Sequence, residues 1–155
     1  MKTKLTHILL VEQHQIAFGA RLGLDLTGCT VRVAGARIED CIRSAFYGET
    51  PLRANEKQVT LAAKFGYDIE DCTRRVAHAI VADLTEQLDR ETVVAEGLAP
   101  GVTVTNIHDK SRQYNVISSI QPNLLVYFKG RRRRKAYARN LRRVAATLNS
   151  CQEVA

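Results

Sequence analysis

Residues 15–41, QIAFGARLGLDLTGCTVRVAGARIEDC, and residues 58–84, QVTLAAKFGYDIEDCTRRVAHAIVADL, decide how this chain is organised. They align without a gap at an offset of 43 residues, 58 less 15. The identical pairs are Gln15/Gln58, Ala20/Ala63, Gly23/Gly66, Asp25/Asp68, Cys29/Cys72, Thr30/Thr73, Arg32/Arg75, Val33/Val76, Ala34/Ala77, Ala36/Ala79 and Asp40/Asp83. Ile16/Val59, Arg21/Lys64, Leu22/Phe65 and Leu26/Ile69 are conservative. So dense a gapless match reads as a tandem duplication, one supersecondary unit used twice.

Each copy has the same physical layout. Apolar residues at helical spacing predict a first helix over 13–22 and again over 56–65. Gly23 and Gly66 end it, because glycine takes the left-handed conformation at a helix C-terminus without steric cost. A short extended link comes next, in which Asp25 and Asp68 are placed to bond nearby backbone. Thr30 and Thr73 then offer hydroxyls to cap a second helix. Its inward face is Val33, Ala34 or Ala36, and Cys41 in the first copy, and Val76, Ile80 and Leu84 in the second. One pair of short helices buries too little apolar surface to stand alone. The copies are therefore expected to pack on each other or on the C-terminal module.

The last third of the chain is of another kind. The segment 85–98, TEQLDRETVVAEGL, reads as a linker, and Pro100-Gly101 marks a turn. From there β-branched residues alternate with polar ones, in runs around Val102–Ile107, Val116–Ile120, Leu124–Phe128 and Lys135–Arg139, with turns at 109–111 and 121–123. Residues 141–148 read as a closing helix with Arg142 and Arg143 in its first turn. The expected architecture is α+β: a first helical repeat over 1–50, a second repeat with its linker over 51–96, and a small barrel with a C-terminal helix over 97–155.

Charge divides along the same boundaries. The 155 residues carry a net charge of +7. Residues 1–50 hold six Lys/Arg against five Asp/Glu, residues 51–96 six against nine, and residues 97–155 eleven against two. The excess is thus +9 on the last module, which points to a polyanionic partner gripped there. The candidate contacts are Lys110 and Arg112 on one hairpin, and Lys129, Arg131, Arg132, Arg133, Arg134 and Lys135 on another. Arg139, Arg142 and Arg143 lie beyond them, with Tyr137 interleaved. Four successive arginines in an extended strand would alternate between faces. A loop would let several meet phosphates or enter a narrow minor groove. Tyr114, Tyr127 and Tyr137 suit either base stacking or barrel core.

These residues carry two resemblances. Leu22-Gly23-Leu24, Gly28-Cys29-Thr30 and Arg32, with Phe65-Gly66-Tyr67, Asp71-Cys72-Thr73 and Arg75, resemble a SAP-type DNA-binding module. QVTLAAKFG is also similar to the first helix of a helix-turn-helix. Either resemblance implies DNA contacts from Thr30, Arg32, Arg37, Thr73, Arg74 and Arg75, whereas a purely scaffolding hairpin implies none. The stretches GLAPGVTVTNI, YNVISSI, LLVYFKG and KAYARNL resemble small SH3-like barrels of chromatin- and ribosome-associated proteins.

Other classes find little support. No apolar run approaches the ~18–20 residues of a membrane span, and the N-terminal residues lack the pattern of a secretory signal. Cys29, Cys41, Cys72 and Cys151 form no CxxC pair, so reduced thiols in a cytoplasmic protein are expected. His7, His14, His78 and His108 show no ligand spacing, and no catalytic motif or phosphate-cradling loop is present. Neither enzyme activity, a metal nor a cofactor is expected. The function expected is nucleic-acid binding, duplex DNA ahead of RNA, with self-association through the helical repeats as an added role. A protein-binding inhibitor or adaptor using the same basic surface is the alternative.

Overall fold

The computed structural model describes residues 10–109, 111, 113–132 and 134–145. The chain is α+β and divides into two compact units, Met1–Gln87 and Leu88–Ala155.

The first unit contains α1 (Gln13–Arg21), α2 (Val31–Tyr47), α3 (Glu56–Ala63) and the beginning of α4 (Arg74–Ala95). Several of its hydrogen bonds recur 43 residues apart. Gln15 and Gln58 reach back so that Oε1 accepts the backbone N–H of Glu12 (3.3 Å) and of Asn55 (2.9 Å), which stabilises each helix start. Gly23 and Gly66 have φ of 76° and 79° beyond α1 and α3. In the links, Asp25 accepts from the Thr27 N–H at 2.9 Å and Asp68 from the Glu70 N–H at 3.1 Å. The Thr30 hydroxyl accepts from the Val33 N–H and that of Thr73 from the Val76 N–H, at 3.1 and 3.2 Å. The chain before each first helix pairs with the link, Val11 N–H to Cys29 C=O at 3.0 Å and Ala54 N–H to Cys72 C=O at 2.9 Å.

The shared core draws equivalent residues from both halves. Val33 and Ala36 pack with Val76 and Ala79, flanked by Cys29, Cys72 and Ile80. Ala62, Ile69, Ala77 and Leu84 form a second cluster. Cys41, expected on the inward face, is only half-buried. One position differs instructively. Gly19 leaves room for the buried Leu26, where a Cβ would stand 2.4 Å from Leu26 Cδ1. The other half fits Ala62 and Ile69 into the same positions.

The segment read as a linker is helical: α4 runs through it to Ala95, and its last turns belong to the second unit. Residues 85–95 are mostly fair helix formers, with no glycine before Gly97 to stop them. Ala99-Pro100-Gly101 then turns the chain, with the Val102 N–H bonded to the Ala99 C=O at 3.1 Å and Gly101 at φ 92°.

The second unit is a five-stranded antiparallel sheet of β1 (Thr103–Asn106), β2 (Tyr114–Ile120), β3 (Leu125–Phe128), β4 (Lys135–Tyr137) and β5 (Leu141–Arg143), in the order β4-β3-β2-β1-β5. A 3-10 turn, Ala138–Asn140, links the last two strands. The core is Leu98, Val104, Ile117, Val126, Phe128, Ala138 and Leu141, with Val93 of α4 packed against it. Two expectations are corrected here. The sheet is open, with β4 and β5 as its edges, rather than closed into a barrel. Residues 141–143 form a strand on β1, not a helix, because β1 offers a free edge and the core takes Leu141 while both arginines face out. Residues 146–148 of the expected helix lie outside the described residues. Among the described residues no helix is long and apolar enough to cross a membrane.

Candidate nucleic-acid interface

Within the first unit, the recurring threonines and arginines serve each other's half. The Thr30 hydroxyl donates to Asp83 Oδ2 at 2.5 Å and Arg32 Nη1 donates to Asp83 Oδ1 at 2.9 Å. Their counterparts Thr73 and Arg75 bond Asp40 in the same way, the threonine to Oδ2 and the guanidinium to Oδ1. Asp83 is fully buried and Asp40 nearly so. Arg32 also reaches Glu86 at 2.5 Å, and Arg75 reaches Glu39 at 3.4 Å. Burial opposes charge on Arg32, but bonds to Glu86 and Asp83 outweigh it and hold the guanidinium above its ordinary pKa. Arg37 donates to the Asp25 carbonyl at 3.3 Å. Arg74 is exposed, its backbone N–H bonded to the Leu52 C=O. Of the six candidate contacts of this unit, four are therefore tied into reciprocal bonds between halves. Asp40 and Asp83, which receive them, were visible in the sequence as an identical pair at the repeat offset but not as partners of these residues.

The basic residues of the second unit sort into two groups. Arg139 is anchored: its backbone N–H and Nη1 both donate to the Asp89 carboxylate, at 2.7 and 2.6 Å, and Asp89 is buried. Arg142 bonds the carbonyls of Arg139 and Leu141 and lies 3.6 Å from Glu96. Arg143 is exposed, with its N–H on Glu96 at 2.8 Å.

The other group projects from β3 and β4. Lys129, Arg131, Arg132 and Lys135 are exposed, and no carboxylate of the described residues forms an ion pair with them. They surround a tight connection in which Gly130 has φ 139°, a conformation that favours glycine. Arg134 turns across to bond Gln113 on the β1–β2 connection. Asp109 lies there too; the Ser111 hydroxyl and N–H, with help from Arg134, hold its carboxyl below the ordinary value. Lys110, Arg112 and Arg133 lie outside the described residues.

The sheet register decides which way the tyrosines face. Val126, Phe128 and Ala136 point to the core, so Leu125, Tyr127, Lys135 and Tyr137 share the outer face. Ser119, Tyr127 and Lys135 stand side by side across β2, β3 and β4, and Tyr137 is opposite Leu125. Lys135 Nζ lies 6.0 Å from the Tyr127 ring centre, and the Arg139 guanidinium stacks on Tyr137 at 4.3 Å. Tyr137 is nevertheless 44% exposed and Tyr114 65% exposed. The barrel-core reading of these two residues is thereby set aside.

Among the described residues no group of three His, Cys, Asp or Glu side chains could hold a metal ion. His78 sits exposed on α4. No protein-family model, curated protein or solved structure matches the chain.

Proposed function

We propose that this chain is a non-enzymatic nucleic-acid-binding protein, DNA before RNA, gripped by the basic face of its second unit. The observation that carries the reading is the division of its cations. Arg139 and Arg142 are committed to carboxylates and carbonyls, whereas Lys129, Arg131, Arg132 and Lys135 cluster on one hairpin and its edge strand without an acidic partner among the described residues. Uncommitted cations presented together are what a phosphate backbone neutralises, and each such contact releases counterions. The strand order, with a 3-10 turn before β5, suits an SH3-like unit left open at its edges, and we read the first unit as a duplicated two-helix module. Thr30, Arg32, Thr73 and Arg75 are spent on bonds between its halves, so its part is to scaffold or self-associate rather than to touch phosphate.

Filter binding against salt tests the reading. Affinity is expected at about 50 mM salt and lost by about 500 mM. Alanine at 131–134 is expected to abolish retention. Binding that survives the higher salt, or none at the lower, refutes the proposal. Retention that persists in the alanine variant, with loss of a co-purified protein, favours an adaptor.

A further inference from the structure

We infer that the strand held on this face is unpaired, its bases stacking on Tyr137 and Tyr127 while the hairpin cations follow its backbone. The inference rests on the nucleic-acid reading above and replaces the duplex expected from the sequence with a single strand.

Three observations lead there. First, Tyr127 and Tyr137 are neighbours on the outer side of adjacent strands. Tyr127 stands directly across from Lys135, and Tyr137 is two residues further along β4, the diagonal position at which long side chains still reach one another. Flat aromatic surface on the outer face of a sheet is what exposed bases use, and every base can use it. Duplex DNA buries its base faces in its own stack and offers such rings nothing to lie on.

Second, Tyr137 is held in place. Asp89, buried, fixes Arg139 through both its backbone N–H and its guanidinium, and that guanidinium lies 4.3 Å from the Tyr137 ring centre. A ring backed by a fixed planar cation loses little freedom when a base covers it. Asp89 and Arg139 are thus positioning residues for Tyr137.

Third, charge and rings follow one another. Lys135 lies on the same face, across from Tyr127 and two residues before Tyr137, while Lys129, Arg131 and Arg132 continue the positive surface along the hairpin that joins β3 to β4. Interleaved rings and cations are the pattern of a groove that tracks a single strand.

The two contributions separate on a salt axis. Phosphate contacts set the slope of log affinity against log salt, about −0.7 per contact for single strands, and stacking sets a level that salt leaves alone. Intact protein is titrated with dT20, rU20 and a 20-base-pair duplex at several salt concentrations. The dT20 is expected to bind more tightly than the duplex. Tyr137→Ala is expected to weaken dT20 binding roughly 5- to 100-fold at every salt concentration with the slope unchanged. Tyr137→Phe keeps the ring and should keep most of the affinity. Arg131→Ala with Arg132→Ala is expected to flatten the slope by about 1.4, two contacts at 0.7 each. A thermal melt of each variant confirms that it is folded, and Tyr137→Leu, which keeps apolar bulk without a ring and should weaken dT20 as the alanine does, carries the test if the alanine variant is not. Duplex binding as tight as dT20, or a folded Tyr137→Ala that binds dT20 normally, overturns the single-strand inference and leaves the phosphate grip standing. Tighter rU20 than dT20 supports the strand class and overturns the preference for DNA. Failure to bind any of the three overturns both.

Discussion

Replacing Asp83 by alanine gives the sharpest test of how the first unit is held together. Its carboxylate is fully buried and accepts two bonds from the other half, from the Thr30 hydroxyl at 2.5 Å and from Arg32 at 2.9 Å. A hydrogen bond to a charged group is worth about 1.5–3 kcal/mol and a neutral one about 1 kcal/mol. Stranding one partner of a buried ion pair costs about 3–5 kcal/mol. Arg32 is not stranded by this change, because its side chain is 49% exposed and keeps Glu86 at 2.5 Å. Thr30 likewise keeps its bond from the Val33 N–H. The cost should therefore fall below the full penalty, at about 2–3 kcal/mol. Urea denaturation followed by far-ultraviolet circular dichroism reads it. With a slope of about 1–3 kcal/mol per molar, the midpoint falls by roughly 0.7–3 M. Glu49→Ala, which removes an exposed partner of Arg43, serves as the control and should cost less than about 1 kcal/mol. If Asp83→Ala costs no more than Glu49→Ala, the reciprocal bonds do not hold the halves together.

Gly19→Ala is expected to destabilise the first unit, since its Cβ would stand 2.4 Å from Leu26 Cδ1; overpacking costs about 1–3 kcal/mol against a helix gain of about 1. Adding Leu26→Ile recreates the Ala62/Ile69 pair and should recover part of the loss, so a double-mutant cycle with no coupling contradicts equivalent packing in the halves. Asp89→Asn is expected to cost about 1–3 kcal/mol and to shift the Arg139 amide resonance; an unmoved resonance means that Asp89 does not fix the turn before β5. Burial, aided by the carboxylates of Asp68 and Asp71 and opposed by Arg37, raises the Cys72 thiol pKa. A raised thiol pKa keeps the unreactive protonated form to higher pH, so mass-spectrometric alkylation of Cys72 should accelerate only above the pH at which a free thiol does.

The local devices were legible in the sequence because each is written within a few residues. Gly23, Gly66, Thr30, Thr73 and Pro100-Gly101 do what their chemistry and spacing require. What escaped depends on partners far along the chain. Asp83 meets residues 51 and 53 positions away, and no periodicity predicts that the two halves exchange their bonds rather than close them internally. The strand at 141–143 is three residues long, too short for alternation to separate it from a helix start, and only the free edge of β1 decides it. Residues 85–95 carry charge suited equally to a solvated linker and to a helix. The tyrosines sit on alternating runs, and alternation names two faces without saying which is inward; the burial of Val126 and Phe128 settles that. The cluster of uncommitted cations was visible in composition, but its separation from the committed arginines required Asp89 and Glu96.

The bonds from Thr30 and Arg32 to Asp83, and from Thr73 and Arg75 to Asp40, all run from one half to the other. A set of contacts with that wiring does not distinguish its own second half from the second half of another molecule. Two chains could trade halves and lose none of the four, leaving the choice between a monomer and an exchanged dimer to the short connection between α2 and α3 and to protein concentration. Shortening that connection around Gly48–Pro51 is the change most directly placed to shift the balance toward the exchanged form.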